Sequence, residues 1–281
     1  MEIKRYFNKY YNKFNVIHVS TYENINKYGI NNIPKNIIEI FTEANILIYH
    51  PVSDKHGKWH FKNILSYCNC DTKKLMIPYY RFHGYFYEDS GIYNWPHICT
   101  YISKTKETEI IEKFDLLNNL EDLNLIKRCA QYIVNNIDNT RIDQQKSYLN
   151  KSLYLFKKLE IDSQIKMYDF LIKNYKKYKL FGNSNHPTEM FFYTLFGKII
   201  NILNLEHVNI EPFTNTLINR WENEPIDKNT EIALELKFTN NKIRLYNLIL
   251  TKEEYYCLHL LAKYKYPKIQ NRSEIYKILQ S

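Results

Sequence analysis

The chain is poor in the residues that mark phosphate loops, disulfide scaffolds and membrane spans. Only six of its 281 residues are glycine. None forms a G-x-G-x-x-G or G-x-x-x-x-G-K pattern, which excludes a dinucleotide fingerprint and a Walker-type loop. Five cysteines, Cys68, Cys70, Cys99, Cys129 and Cys257, include no C-x-x-C pair. Cys68 and Cys70 form only a C-x-C. An odd, scattered set with no apolar leader predicts reduced thiols in a cytoplasmic compartment, and no metal site. The apolar runs are too short to cross a bilayer.

What is present is a globular composition, 44% hydrophobic and rich in tyrosine (26) and phenylalanine (15). This length can bury a substantial core. The 39 Lys+Arg against 30 Asp+Glu give a net charge of +9, which favours anionic partners such as phosphorylated cofactors or nucleic acid. The densest basic cluster is KNYKKYK at 173–179. Lysines on the wet face of a helix explain it as well as a phosphate backbone does, so nucleic acid stands as a lesser alternative.

The first eighty residues alternate strand and helix. KFNVIHVS (13–20) reads as a strand, IPKNIIEIFTEA (33–44) as a helix opened by Pro34, and ANILIYHP (44–51) as a buried parallel strand. A helix over 57–68 and a strand over 73–80 complete a β-α-β-α-β order, which implies a parallel sheet with right-handed crossovers. From about 107 the chain turns helical, with helices expected over 120–137, 145–159 and 163–177. Strand patterning returns at 231–238 and 242–250, before a helix at 252–263. The fold class is therefore α/β, with an N-terminal parallel sheet, a large helical half and a short strand-containing tail. The expected organisation is one domain over 1–281, divided into a sheet part (1–106), a helical part (107–205) and a tail packed on the same domain (206–281).

Open parallel sheets bind ligands beyond the carboxyl ends of their strands. HPVSDKHG (50–57) and RFHGYFYED (81–89) lie there and bring His50, Ser53, Asp54, His56, Arg81, His83 and Tyr85 to one rim. Arg81, planar and permanently charged, suits a phosphate. A strand-to-helix loop with a Ser or Asp cap explains the first segment equally, and a surface arginine beside an aromatic turn the second. NWPHICTYI (94–102) sets His97 beside Trp95 and Pro96, as an aromatic wall or, more simply, a packed corner.

In LFGNSNHPTEMFFYTLFGKIINIL (180–203), Pro187 fits the first position of an apolar helix, so the spacing predicts a helix beginning at His186. Unpaired amides at a helix start lower the pKa of a nearby imidazole and can meet a developing oxyanion, which suits a general base. Ser184, Asn185 and His186 also fit an ordinary cap.

In that order, ANILIYHPVSDKHG, LMIPYYRFHGYFYED and LFGNSNHPTEMFF resemble the WcbI family of polysaccharide biosynthesis acetyltransferases. Its members carry an aliphatic strand running into a V-x-D-x-(H/Y)-G-like turn, a P-x-x-x-x-x-G-Y segment and a late N-H-P. The resemblance implies acetyl transfer from acetyl-CoA to a hydroxyl or amine of a sugar nucleotide or glycan. It further implies His186 as general base, with Asn185 and the amides after Pro187 stabilising the oxyanion and Asp54 orienting a partner. Arg81 would hold CoA phosphates, while His50, Ser53, His83 and Tyr85 line the pocket. A CoA- or glycan-binding member without catalysis is the alternative. Members usually open with a G-N-C-Q-like turn that this sequence lacks, so the chain is expected to be part of a longer protein or to have lost that turn. A covalent cysteine mechanism is not implied.

Overall fold

The computed structural model describes residues 2–86, 104–136, 142–211, 225–238, 242–245, 248–269 and 272–280. The motif around His97, with Cys99, lies outside them. In chain order the elements are helices α1 (Glu2–Tyr10), α2 (Thr21–Tyr28) and α3 (Lys35–Glu43), strand β1 (Ile46–Tyr49), helix α4 (Phe61–Tyr67) and strand β2 (Lys73–Met76). Helices α5 (Lys104–Phe114), α6 (Leu123–Asn136), α7 (Ile142–Leu159) and α8 (Tyr168–Asn174) follow, then strands β3 (Phe181–Asn183) and β4 (His186–Pro187) and helix α9 (Glu189–Leu203). The remainder is α10 (Lys228–Ala233), β5 (Ile243–Leu245), β6 (Leu248–Leu250), α11 (Lys252–Leu260) and α12 (Arg272–Gln280). Among the described residues, no helix is long and apolar enough to cross a membrane.

The chain divides into two compact units, one of Met1–Tyr80, Leu155–Leu171 and Met190–Phe213, the other of Arg81–Tyr154, Ile172–Glu189 and Thr214–Ser281. In the first, β1 and β2 pair in parallel, from Ile46 opposite Lys73 to Tyr49 opposite Met76. The connection carries a 3-10 turn, Asp54–Trp59, followed by α4, where one continuous helix over 57–68 is the sequence expectation. Gly57 breaks it with φ 59°, a left-handed conformation that costs glycine little. Trp59 is buried with Ile33, Phe41 and Ile64, and its indole donates to the Gly29 carbonyl at 3.2 Å.

The expected strand over 13–20 is not formed: residues 15–20 are irregular and end at Ser20, whose hydroxyl caps α2 by accepting from the Glu23 amide. The parallel sheet among the described residues is thus one strand pair with one crossover. A side-chain clamp satisfies the edge of β2. The Met76 amide donates to Gln164 Oε1 at 3.2 Å, and Ser163 Oγ donates to the Met76 carbonyl at 2.8 Å. Strand polar groups need partners but not strand partners. The same loop explains why the helix expected over 163–177 begins only at Tyr168: the buried Glu160 carboxylate accepts from the amides of Met167 and Tyr168 and so caps α8. Phe196 of α9 meets Tyr6 and Phe7 of α1 at ring-centroid distances of 4.8 and 5.0 Å, and aromatic pairs of this kind add about 0.5–1.5 kcal/mol beyond area burial.

The second unit has its own core, in which Ile126, Cys129, Ala130 and Ile133 of α6 pack with Tyr255 and Leu258 of α11 and Ile275 of α12. A capping box between Thr251 and Glu254 starts α11. The strand expected over 231–238 is not formed: residues 231–233 end helix α10, which Asp227 caps by accepting from the Thr230 amide at 2.8 Å and its hydroxyl at 2.9 Å, and 234–238 are turn and irregular. The strand expected over 242–250 is split into the antiparallel hairpin of β5 and β6.

Candidate functional site

The His186 segment differs from its sequence reading by three residues. His186 and Pro187 are not the start of α9 but form β4, with Asn183 opposite His186 and Phe181 opposite Pro187. Pro187 is tolerated because a two-residue strand in a hairpin needs no donor at that position. Thr188 then closes the hairpin: its amide donates to the Leu180 carbonyl at 2.9 Å and its hydroxyl to the Lys179 carbonyl at 2.9 Å. The Thr188 amide is therefore committed and offers nothing to an oxyanion. At the tip, the Asn185 amide donates to Asn183 Oδ1 at 3.2 Å in an Asx-type turn, and the Asn185 side chain is half-buried. Burial lowers the His186 pKa below its ordinary 6.5, so the imidazole is neutral and basic at neutral pH.

The 81–86 loop belongs to the same unit and is joined to the hairpin through backbone. The Phe82 amide donates to the Ser184 carbonyl at 2.7 Å. That bond puts Arg81 and His83 on either side of one partner, and Asn185 and His186 immediately after the other. Arg81 is exposed and His83 half-buried. Neighbouring elements clamp the loop at three points. The His83 amide donates to Ser152 Oγ at 2.9 Å, Gln145 Nε2 donates to the Gly84 carbonyl at 2.7 Å, and the Tyr85 hydroxyl lies 2.6 Å from the Tyr175 carbonyl and 2.9 Å from that of Tyr178. Tyr85 is 1% exposed and acts as a buried brace. Gln145, Ser152 and Tyr175 were invisible to sequence reading, since nothing in their local spacing points to residues sixty to ninety positions away.

Four predicted residues, His50, Ser53, Asp54 and His56, lie in the first unit. His50 follows β1, and its Nδ1 is 2.8 Å from the Ile77 carbonyl; a carbonyl only accepts, so Nδ1 carries the proton and a neutral ring keeps Nε2 as acceptor. Ser53 precedes the 3-10 turn without a side-chain cap bond, and Asp54 opens it; both are exposed. The two buried thiols have burial-raised pKa values, about 11 for Cys129 and about 12 for Cys257, which keeps them protonated and poor nucleophiles.

A family model described as polysaccharide biosynthesis enzyme WcbI matches residues 12–208. A solved structure of WcbI, described as a novel polysaccharide biosynthesis enzyme and as native protein without a disulfide between coenzyme A and one of its cysteines, shares the fold with a TM-score of 0.58 at 15% identity. The similarity covers 88% of this chain and 81% of that one. No curated protein matches. With the family model spanning well over half of its length, the chain belongs to the WcbI family of polysaccharide biosynthesis enzymes.

Proposed function

We propose that this protein is a CoA-dependent acetyltransferase that acylates a hydroxyl or amine of a sugar during polysaccharide biosynthesis. The observation that carries the reading is the His186 imidazole, held neutral by burial on a clamped hairpin. Family membership and the mention of coenzyme A with the solved WcbI structure support the same reading. The donor set of the second unit suits a phosphorylated cofactor. Arg81 and Lys177 are exposed and Lys179 half-buried, and a guanidinium with two ammonium groups matches the phosphates of coenzyme A. When bound, acetyl-CoA supplies an acetyl group activated as a thioester.

As the acceptor bonds to the acetyl carbon and the thioester C–S bond breaks, His186 would take the acceptor's O–H or N–H proton on an imidazole nitrogen and return it to the departing thiolate, a role that contributes on the order of 10²- to 10⁴-fold in rate. The Asn185 side-chain amide donates to the oxygen that gains charge, in place of the committed Thr188 amide. Arg81 and the lysines hold phosphate. His83 contributes a wall and Tyr85 supports it.

The test is acetyl transfer from acetyl-CoA to a panel of amino and deoxy sugars by wild type and His186→Ala, with folding checked by circular dichroism. A loss of at least about a hundredfold in the variant is expected. Unchanged turnover in folded His186→Ala would remove the base. Binding of coenzyme A with no transfer to any acceptor by wild type would place the chain with non-catalytic family members.

A further inference from the structure

The face of α9 turned away from its core contacts lines a cleft that the acetyl-transfer reading does not use. Buried positions Phe191, Leu195, Phe196, Ile199 and Leu203 face the core. Tyr193, Gly197, Lys198 and Asn201 lie on the other side of the helix, and with His207 and Asn209 they line an open groove of about 390 Å³. All of these residues belong to the first unit. The volume falls within the range of small-ligand sites, about 300–1,000 Å³.

The chemistry of the lining is specific. Beside a threonine and the aliphatic side chains of Ile200, Val208 and Ile210 it contains a lysine and a histidine and no carboxylate, and among the described residues Lys198 makes no ion pair. Two asparagine amides supply paired donors and acceptors, and a tyrosine ring offers an apolar face. Gly197 sits on the helix with open space where a Cβ would be. Glycine costs a helix interior about 0.5–1 kcal/mol relative to alanine, and here it keeps the floor of the cleft low. A polyhydroxylated ring carrying one negative charge matches the polar groups: ring face on Tyr193, hydroxyls on Asn201 and Asn209, anion on Lys198 with His207. We infer that this cleft binds an acidic sugar, with a carboxylate or a phosphate as the anion. The argument uses only first-unit geometry and does not depend on acetyl transfer.

The test is isothermal titration or NMR of the full chain with galacturonate, glucose 1-phosphate, neutral galactose and inorganic phosphate. Gly197→Leu fills the cleft from a position where the backbone tolerates a side chain, so thermal unfolding should stay at or above wild type while sugar binding is lost. Lys198→Gln should weaken the charged sugars about tenfold or more and leave galactose unchanged. Tighter binding of either charged sugar than of galactose, abolished by Gly197→Leu, supports the inference and identifies the anion. No binding of either charged sugar at millimolar concentration, binding indifferent to both substitutions, or inorganic phosphate binding as well as glucose 1-phosphate would overturn it.

Discussion

The amide of Phe82 donates to the carbonyl of Ser184 across 2.7 Å, and this one bond ties the 81–86 loop to the hairpin that carries His186. Being backbone to backbone, it fixes chain positions whatever the side chains do. Phe82 itself is fully buried, with its ring 4.9 Å from that of Tyr85 and 5.7 Å from that of Phe181. Placement of His186 is thus coupled to packing in a loop a hundred residues earlier.

Gly84 is the position where that coupling is most exposed to substitution. A Cβ there would lie 2.3 Å from Phe82 Cζ and 2.9 Å from Leu149 Cδ1. Neither neighbour has solvent to move into, as Phe82 is 0% and Leu149 8% exposed. Gly84→Ala is expected to destabilise the protein by roughly 1–3 kcal/mol through overpacking, measured as a lower urea midpoint with an unchanged slope.

Tyr85→Phe keeps the ring packing and removes only the hydroxyl that bridges to the carbonyls of Tyr175 and Tyr178. The loss of a buried hydrogen bond, with carbonyls left behind, is expected to cost about 1–3 kcal/mol. If Tyr85 is a brace, stability measured by chemical denaturation falls while the KM for acetyl-CoA hardly changes. A large KM effect with unchanged stability would instead make the hydroxyl a ligand contact.

Much of this architecture was legible because local signals agreed with the tertiary outcome. The ILIY run of β1, Pro34 at the head of α3 and the three- and four-residue spacing in α6 and α9 all formed as expected. Where reading failed, a side chain had taken a backbone's usual place. Gln164 and Ser163 hold the edge of β2 with side chains in place of strand partners, and Asp227 starts a helix that runs into a segment patterned as a strand. Pro187 was placed correctly as a boundary but in the wrong element, since its missing donor suits the end of a short hairpin as well as the first turn of a helix. The His186 neighbourhood was visible as a motif; the braces from Gln145, Ser152 and Tyr175 were not, because they depend on long-range contacts.

Gly57 offers a test of the β1-to-β2 connection. Its φ is 59°, and a Cβ would sit 2.6 Å from the Ile30 carbonyl oxygen, whose partner is the Lys58 amide at 2.9 Å. Backbone cannot rotate aside as a side-chain end can. Gly57→Ala should therefore lower stability by more than the roughly 1 kcal/mol of a left-handed conformation alone, read as a drop in the thermal midpoint. A change within about 0.5 kcal/mol, the range of neutral surface substitutions, would show that the turn relaxes.

Protonation of His186 links stability and activity to pH in a defined direction. Burial lowers its folded pKa below 6.5, so between that lowered value and 6.5 the unfolded chain binds more protons than the native one. Stability then rises with pH across this window: the contribution is complete above 6.5 and is lost as pH falls toward the folded pKa. His18 and His50 shift the same way, so the His186 share is the difference between wild type and His186→Gln, which carries no titrating ring. For a general base, the acid limb of kcat/KM reports the same group in the free enzyme. Its midpoint should lie below 6.5, and the residual activity of His186→Gln should show no such limb. A wild-type midpoint above 6.5 would require a nearby anion stabilising the imidazolium, and would contradict a base kept neutral by burial.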